Sequence, residues 1–400
     1  MDNYSQLLTP RGLERRLKRY LLKSRHQFAA TTTPGFEYQL QSELSELEGV
    51  EIKDLISGGV EFCGPLDLIY STNLHLRTAN RVLMRIGSFT ACSYPELYNK
   101  CRRIDWELYC GFSDSVSFSV SSRNSRLHHT DNIGKTVFDA LSEHMKKLGV
   151  HVNNVPDAGI VFHVRIFQDE CTISIDSSGD LLYKRGYRLK TAFAPLRETI
   201  AASVLMIAEW SRYPVIMDPM CGSGVFILEA VSMALHKTPG ANRSFAFMNW
   251  PVFNSQKWEK IRSKTTGEEL EGTEKRFFAS DIDEKALAST RENAGRLGVA
   301  DFVKISKQDC LTLEPVDSPG LLISNLPYGK RVGASESGLH EFFAKLGRHL
   351  CTQFSGWDFA FIVEEPAFAE ISGLRVSKEI RFKNGGIAVR LVMGRIPDAR

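Results

Sequence analysis

The sequence predicts an α/β fold over its second half: a mostly parallel sheet with helices on both faces, ended by an antiparallel hairpin. An α+β region precedes it. Three observations lead there. Beyond Lys190, short apolar runs alternate with segments of helical periodicity. The first such run passes into a helix through the glycine loop Met220-Cys221-Gly222-Ser223-Gly224. Near the end, Lys378 to Lys383 and Ile387 to Met393 flank Asn384-Gly385-Gly386, a sequence that tolerates the positive φ angles of a tight hairpin.

In chain order, residues 11 to 23 are compatible with a basic helix. Pro34-Gly35 breaks the chain, and Phe36, Leu40, Leu44 and Leu47 then recur at helical spacing. Val60 to Phe62 reads as a strand, and Pro65 to Tyr70 starts a helix. Phe118 to Val120 is a strand, followed by the polar stretch Ser121 to Thr130 and an amphipathic helix from Ile133 to Leu148. Val161 to Phe167 and Cys171 to Ile175 are strands around Gln168-Asp169-Glu170. In the second half, strands are expected at Val215 to Met217, Phe277 to Ser280, Val303 to Ser306, Leu321 to Ser324 and Phe359 to Val363. The intervening helices are Val225 to Leu235, Glu284 to Leu297 and Leu339 to Phe354. Asp283 can cap the second of these, and Gly298 ends it.

The 400 residues suffice for two or three domains. Hydrophobic residues are 43% and charged residues 24%, the balance of a soluble globular chain. No apolar run approaches the about 20 residues of a membrane span, and no apolar core follows the first basic residues as a secretory leader requires. An amphipathic transit peptide is not excluded for a first segment this basic. The net charge of +3 says little by itself. Its distribution says more: Arg11, Arg15, Arg16, Lys18, Arg19, Lys23 and Arg25 stand against Asp2 and Glu14. Such a run can neutralise phosphates, or it can be a solvated, mobile tail. The eight cysteines include no Cys-x-x-Cys pair, so no metal site is expected. Free thiols fit a cytoplasmic protein.

Chemistry concentrates at strand ends. Asp218-Pro219-Met220-Cys221-Gly222-Ser223-Gly224 follows a strand and opens a helix, where open α/β sheets bind ligands. It lacks both the phosphate-loop pattern and the third glycine of the dinucleotide fingerprint. Asp218, Met220, Gly222 and Gly224 are the candidate cofactor-binding residues of this loop, which could otherwise be an ordinary tight strand-to-helix turn. Asp281, ending the next strand, can accept from both ribose hydroxyls. Asp283 is a ligand or only a helix cap. Asp309, after the third strand, can accept from an adenine amino group or be an ordinary loop residue. Asn325-Leu326-Pro327-Tyr328-Gly329 follows an apolar strand. Proline stiffens the turn, so the Asn325 amide oxygen and the Leu326 carbonyl can both accept from one exocyclic amine. Tyr328 can stack on an extruded base.

These motifs stand in the order found in class I methyltransferases that modify amino groups. The chain resembles, more closely, the RNA guanine-N2 methyltransferases with an N-terminal THUMP domain, and among them the bacterial 23S ribosomal RNA enzymes. The resemblance rests on Leu182-Tyr183-Lys184-Arg185-Gly186-Tyr187-Arg188, Ala194-Pro195-Leu196-Arg197-Glu198-Thr199 and Asn242-Arg243-Ser244-Phe245-Ala246-Phe247, besides the glycine loop. Ile104-Asp105-Trp106 and Ser121 to Leu127 look like the family's RNA-binding half. The likeness runs from Phe28 to Ile396. It implies a class I (Rossmann-like) methyltransferase domain at 191–400, a ferredoxin-like and THUMP region at 28–190, and an extension outside the pattern at 1–27. It also implies S-adenosyl-L-methionine as cofactor and RNA as partner, 23S ribosomal RNA or a large-subunit precursor, with neither membrane nor metal. Arg123, Arg126, Lys184, Arg185 and Arg188 are the expected RNA contacts.

Leu326 departs from the family's usual Asn-Pro-Pro-Tyr. Asn-Leu-Pro-Tyr also occurs in adenine-N6 dimethylases of ribosomal RNA, so adenine in RNA or DNA is an alternative, as is transfer RNA. An assembly factor that binds RNA without turnover is the alternative of another class. Retention of Asn325, Pro327 and Tyr328 argues against it.

Overall fold

The computed structural model describes residues 7–188, 196–266, 275–316, 319–327 and 336–397. The chain forms two compact units. One is Met1–Thr31, Gln41–Leu182 and Arg243–Lys264; the other is Thr32–Leu40, Tyr183–Asn242 and Thr265–Arg400. The division differs from the expected 28–190 and 191–400 in three ways. The boundary falls after Leu182, and two short segments change sides. Phe36 carries the first across, because its ring is fully buried in the second unit's core with its centroid 4.9 Å from that of Phe382. Phe245, Phe247 and Trp258 carry the other into the first unit, where Phe247 packs edge-on to Tyr70 at 5.1 Å.

The first unit's strands are β1 (Arg25–Thr31), β2 (Glu51–Ile56), β3 (Gly59–Pro65), β4 (Arg81–Thr90), β5 (Ser115–Arg123), β6 (Asn153–Asn154), β7 (Val161–Phe167) and β8 (Glu170–Asp176). Their order is β2-β3-β1-β4-β8-β7-β5-β6. Sequence reasoning missed β1, β2, β4 and the two-residue β6. In β1, the consecutive residues Phe28, Ala29 and Ala30 are all buried, so the alternation that marks a half-exposed strand is lacking. The turn expected after Phe167 is a two-residue hairpin loop, with φ of 52° at Gln168 and 64° at Asp169.

Over its described residues the basic extension is not a solvated tail. Thr9 Oγ1 accepts from the Gly12 N–H at 3.0 Å and starts the helix Pro10–Tyr20, with Pro10 in its first turn. Leu13, Leu17 and Leu21 form its buried stripe. Arg16 bridges Asp105 at 2.9 Å and Glu107 at 2.6 Å, and His144 Nε2 lies 2.7 Å from the other Glu107 oxygen. Burial opposes ionisation of Glu107, but His144 and Arg16 outweigh it and hold the carboxyl below its usual range.

The second unit's strands are β9 (Val215–Asp218), β10 (Arg276–Asp281), β11 (Val303–Lys307), β12 (Leu321–Asn325), β13 (Asp358–Val363), β14 (Val376–Asn384) and β15 (Ile387–Arg395). They run β11-β10-β9-β12-β13-β15-β14, parallel up to β13 and antiparallel beyond it. The expected terminal hairpin is there, closed by Gly385 and Gly386 at φ 58° and 92°. Alternate residues serve opposite faces. Ile216, Ile323 and Ile362 join Phe226 and Val204 in one core, and Met217, Leu322 and Phe361 join Phe343 and Leu350 in the other. Burial on both faces explains why these strands read as unbroken apolar runs. The order turns back between β9 and β12, and open α/β sheets bind ligands outside such a switch point. Among the described residues, no helix is long and apolar enough to cross a membrane.

Candidate active site

Asp218 ends β9 at the switch point, and Ser324, at the end of β12, donates to its Oδ1 at 2.7 Å. The Met220 N–H donates to the same oxygen at 3.2 Å. Asp218 is fully buried; burial drives its pKa up to about 7, with the Asp281 charge adding and the two donors opposing. This carboxyl ties two strand ends together.

The loop that follows needs its glycines. Gly224 has φ 81°, and a Cβ there would lie 2.6 Å from Thr290 Cγ2. Gly222 has φ 55°, and a Cβ there would meet nothing within 4 Å. Thr290 Oγ1 donates to the Gly222 carbonyl at 2.8 Å and Asn293 Nδ2 to the Ser223 carbonyl at 3.0 Å. Both come from the helix Glu284–Leu297, capped by Asp283 through the Lys285 N–H at 3.0 Å. Asp281, ending β10, accepts the Gly222 N–H at 2.9 Å on one oxygen and the Asp283 N–H at 3.0 Å on the other.

A cavity of about 770 Å³ opens over these strand ends. Its wall includes Asp218, Met220, Gly222, Asp281, Asp283, Asp309, Asn325 and Pro327. The structure thus brings together at one cavity eight residues singled out from sequence. Gly224 stands just behind it and sets the loop's turn. Asp309 Oδ1 accepts the Leu311 N–H at 2.9 Å, which shapes the loop after β11.

Asn325 differs from the carboxylates. It ends β12 beside the cavity, and its Oδ1 is buried without a hydrogen-bond partner among the described residues. A buried idle acceptor costs about 1–3 kcal/mol unless a ligand satisfies it. Leu326 does not line the cavity by its side chain, which is fully buried in the core. Its N–H donates to the Ile362 carbonyl at 3.0 Å, fixing the backbone that carries its own carbonyl. Tyr328 lies outside the described residues.

Sequence reasoning missed the apolar wall. Ile282 is 66% exposed although apolar, and it lines the cavity with Leu311, Leu339 and Phe342. An apolar residue between Asp281 and Asp283 was the signal available.

The expected RNA contacts divide. Arg123 and Arg126 are exposed on one loop of the first unit. Ser125 Oγ donates to the Arg123 carbonyl at 2.9 Å, and the Arg126 N–H donates to Asp169 at 2.7 Å. The loop is held while both arginines are exposed, Arg126 with its Nε 3.8 Å from Asp169. Lys184 is exposed in the second unit. Arg185 and Arg188 are not RNA contacts in this structure, and the expectation for them is corrected. Both side chains are buried, Arg185 3.1 Å from Glu229 and Arg188 3.2 Å from Glu198. Arg188 also donates to the Leu196 carbonyl at 2.8 Å, and the Tyr187 hydroxyl donates to Glu229 at 2.9 Å. A buried carboxylate needs such partners, and these arginines supply them.

Residues 185–392 match the family described as the RMKL-like methyltransferase domain. Residues 27–83 match the RlmL ferredoxin-like domain and 91–176 the THUMP domain. A Synechocystis sp. protein named "Putative RNA methyltransferase slr0064" is 31% identical over 91% of this chain and 97% of its own length. The ribosomal RNA large subunit methyltransferase K/L of Psychromonas ingrahamii is 33% identical over 92% of this chain, which spans about 50% of that protein. The crystal structure of SMU.472, described as "a putative methyltransferase complexed with SAH", superposes with a TM-score of 0.82 at 26% identity, over 94% of this chain and 99% of the other.

Proposed function

The chain belongs to the RMKL-like methyltransferase family, and we propose that it methylates the exocyclic N2 amine of a guanine in 23S ribosomal RNA. The observation that carries this reading is the idle, buried Asn325 Oδ1 at the edge of the cavity. An exocyclic amine offers the donor it lacks.

The residues around the cavity fit S-adenosylmethionine. Asp281 gives one lone pair on each oxygen to backbone N–H groups, and a carboxylate has about four such sites, so both oxygens can still accept from ribose hydroxyls. Gly222 leaves room where a Cβ would intrude on a ligand. Ile282 and Leu311 offer apolar surface to a purine face. When bound, the cofactor supplies an already activated methyl group on its sulfonium. The protein's task is then to orient the amine. Asn325 Oδ1 and the Leu326 carbonyl would accept its two hydrogens, which would orient the amine with its nitrogen lone pair free for the methyl donor. No strong base would be needed before attack, because the methylated nitrogen would lose its extra proton to water only after transfer. Orientation of this kind is worth up to roughly 7–11 kcal/mol, and fixed dipoles in a dry site add to it.

RNA as substrate is supported by the THUMP match and by the names of the relatives. Arg123, Arg126 and Lys184 are the proposed phosphate contacts. Guanine is supported by the resemblance at Leu182 to Arg188 and Asn242 to Phe247, outside the cofactor core. Leu326 is the one feature that favours adenine instead. The test is transfer of labelled methyl to ribosomal RNA from a strain lacking the gene, followed by nucleoside mass spectrometry. N2-methylguanine in 23S RNA is expected. Methyladenine would overturn the base, label confined to transfer RNA would overturn the substrate, and no label in any RNA would overturn the reaction.

A further inference from the structure

A second cavity, of about 400 Å³, lies in the first unit between the end of the basic helix and the segment Lys100 to Tyr109. It is separate from the strand-end site and falls in the size range of ligand pockets. Tyr20, Arg25, Lys100, Arg103, Asp105 and Tyr109 are among the residues lining it. The charges sort unequally. Arg25 is paired with Glu51 at 3.0 Å, Lys100 with Glu96 at 2.6 Å, and Asp105 with Arg16 at 2.9 Å. Arg103 is exposed and has no acidic partner among the described residues. Tyr20 is 43% exposed, with the Arg19 guanidinium 5.3 Å from its ring centroid and that of Arg16 at 5.7 Å. Arg15, Arg19 and Lys23 extend the positive surface along the helix that leads to this pocket.

We infer that this pocket binds a backbone phosphate of the RNA flanking the methylated base, seated on Arg103 and Lys100, with Tyr20 against the adjoining nucleotide. The matched ferredoxin-like domain begins at residue 27, so Tyr20, Arg25 and the helix before them lie outside the matched family domains. An unpaired cation, a partly paired one and an exposed ring at one concave site suit single-stranded RNA, in which phosphate and base are offered side by side. An acidic protein would also be attracted by the charge, but the exposed Tyr20 ring beside the cations favours a nucleotide, whose base can stack on it.

The inference rests on RNA being the substrate, and the experiment separates the two. A labelled 23S fragment is titrated with the full-length protein across a range of salt, for wild type, Arg103→Glu and Tyr20→Ala. Arg103→Glu should weaken binding about tenfold and flatten the log–log salt slope by about 1. Tyr20→Ala should weaken binding severalfold while leaving that slope unchanged. Both residues are exposed, and the affinity of each variant for S-adenosylhomocysteine, which should match wild type, checks folding; Arg103→Gln serves if the reversal fails that check. Wild-type affinity and slope in the Arg103 variant would overturn the pocket while leaving the substrate intact. Failure of the wild type to bind the fragment would overturn both. Competition by inorganic phosphate at constant ionic strength, with RNA binding indifferent to the Arg103 variant, would assign the pocket to a free anion and also overturn the inference.

Discussion

At the switch point two sides of one cavity have opposite hydrogen-bond states. On the β9 and β10 side, Asp218, Asp281 and Asp283 each already accept from a backbone N–H or a hydroxyl. On the β12 side, Asn325 Oδ1 is buried and accepts nothing among the described residues. The first side is a scaffold finished by folding, whose carboxylates shape the surface a cofactor meets. On the proposed reading, a substrate amine completes the second side by bringing a donor. Removing a group from the scaffold should therefore perturb cofactor binding and stability, and removing the idle acceptor should perturb turnover alone.

The sharpest break of this contrast is Asn325→Ala. Loss of one aligned polar partner of the reacting group costs on the order of 10²–10³ in rate. Single-turnover methylation should fall by that factor while S-adenosylhomocysteine affinity stays near wild type. A near-normal rate would end the acceptor mechanism. Asp281→Ala should act the other way round. Charge-assisted hydrogen bonds are worth about 1.5–3 kcal/mol each, so calorimetry should show cofactor affinity reduced about 10- to 100-fold. If affinity holds and only turnover drops, the two sides do not divide the work.

Gly224→Ala tests the scaffold without touching ligand-facing atoms. A left-handed alanine carries about 1–3 kcal/mol of strain, and its Cβ would crowd Thr290. The thermal midpoint should fall by several degrees; an unchanged midpoint would mean the loop relaxes freely. The smallest effect expected is in pH dependence. Burial raises the Asp218 pKa from its ordinary 3.8 to about 7, so between these values the folded protein binds more protons than the unfolded chain. Stability is then greatest below about pH 4 as far as this group is concerned, and is lost as pH rises toward 7. Asp218→Asn, which keeps an acceptor for Ser324, should flatten that part of the midpoint–pH profile. An identical profile would show that Asp218 is ionised in the folded state.

Much of the site was legible because a loop between a strand and a helix is contiguous in sequence. Asp218 to Gly224, Asp281 to Asp283 and Asn325 to Pro327 each announce themselves within seven residues. The apolar wall was not legible, because Leu311, Leu339 and Phe342 look like any other helix or loop hydrophobics until the sheet order brings them to one cavity. The arginines were misread for a related reason. Composition reports that Arg185 and Arg188 are charged, but not which way they face. A signal did exist: Glu229 stands alone in the apolar run Val225 to Val231, and Glu198 begins another apolar helix. A lone carboxylate inside such a helix calls for a buried cation.

By itself the sequence determined which residues could do chemistry, the periodicity of most helices and strands, and the terminal hairpin. These depend on neighbours a few residues apart, through backbone preference and the repeat of one face. Only the tertiary structure decided how charge and burial combine. It docked the basic extension through Leu13, Leu17 and the Arg16 bridges, exchanged the segments around Phe36 and Phe247 between units, and left Asn325 Oδ1 without a donor among the described residues. The first two are pairings across tens to hundreds of residues, and the third is a burial that no neighbour in sequence sets. Their energy comes from desolvation, and desolvation is set by which surfaces meet rather than by which residues follow one another.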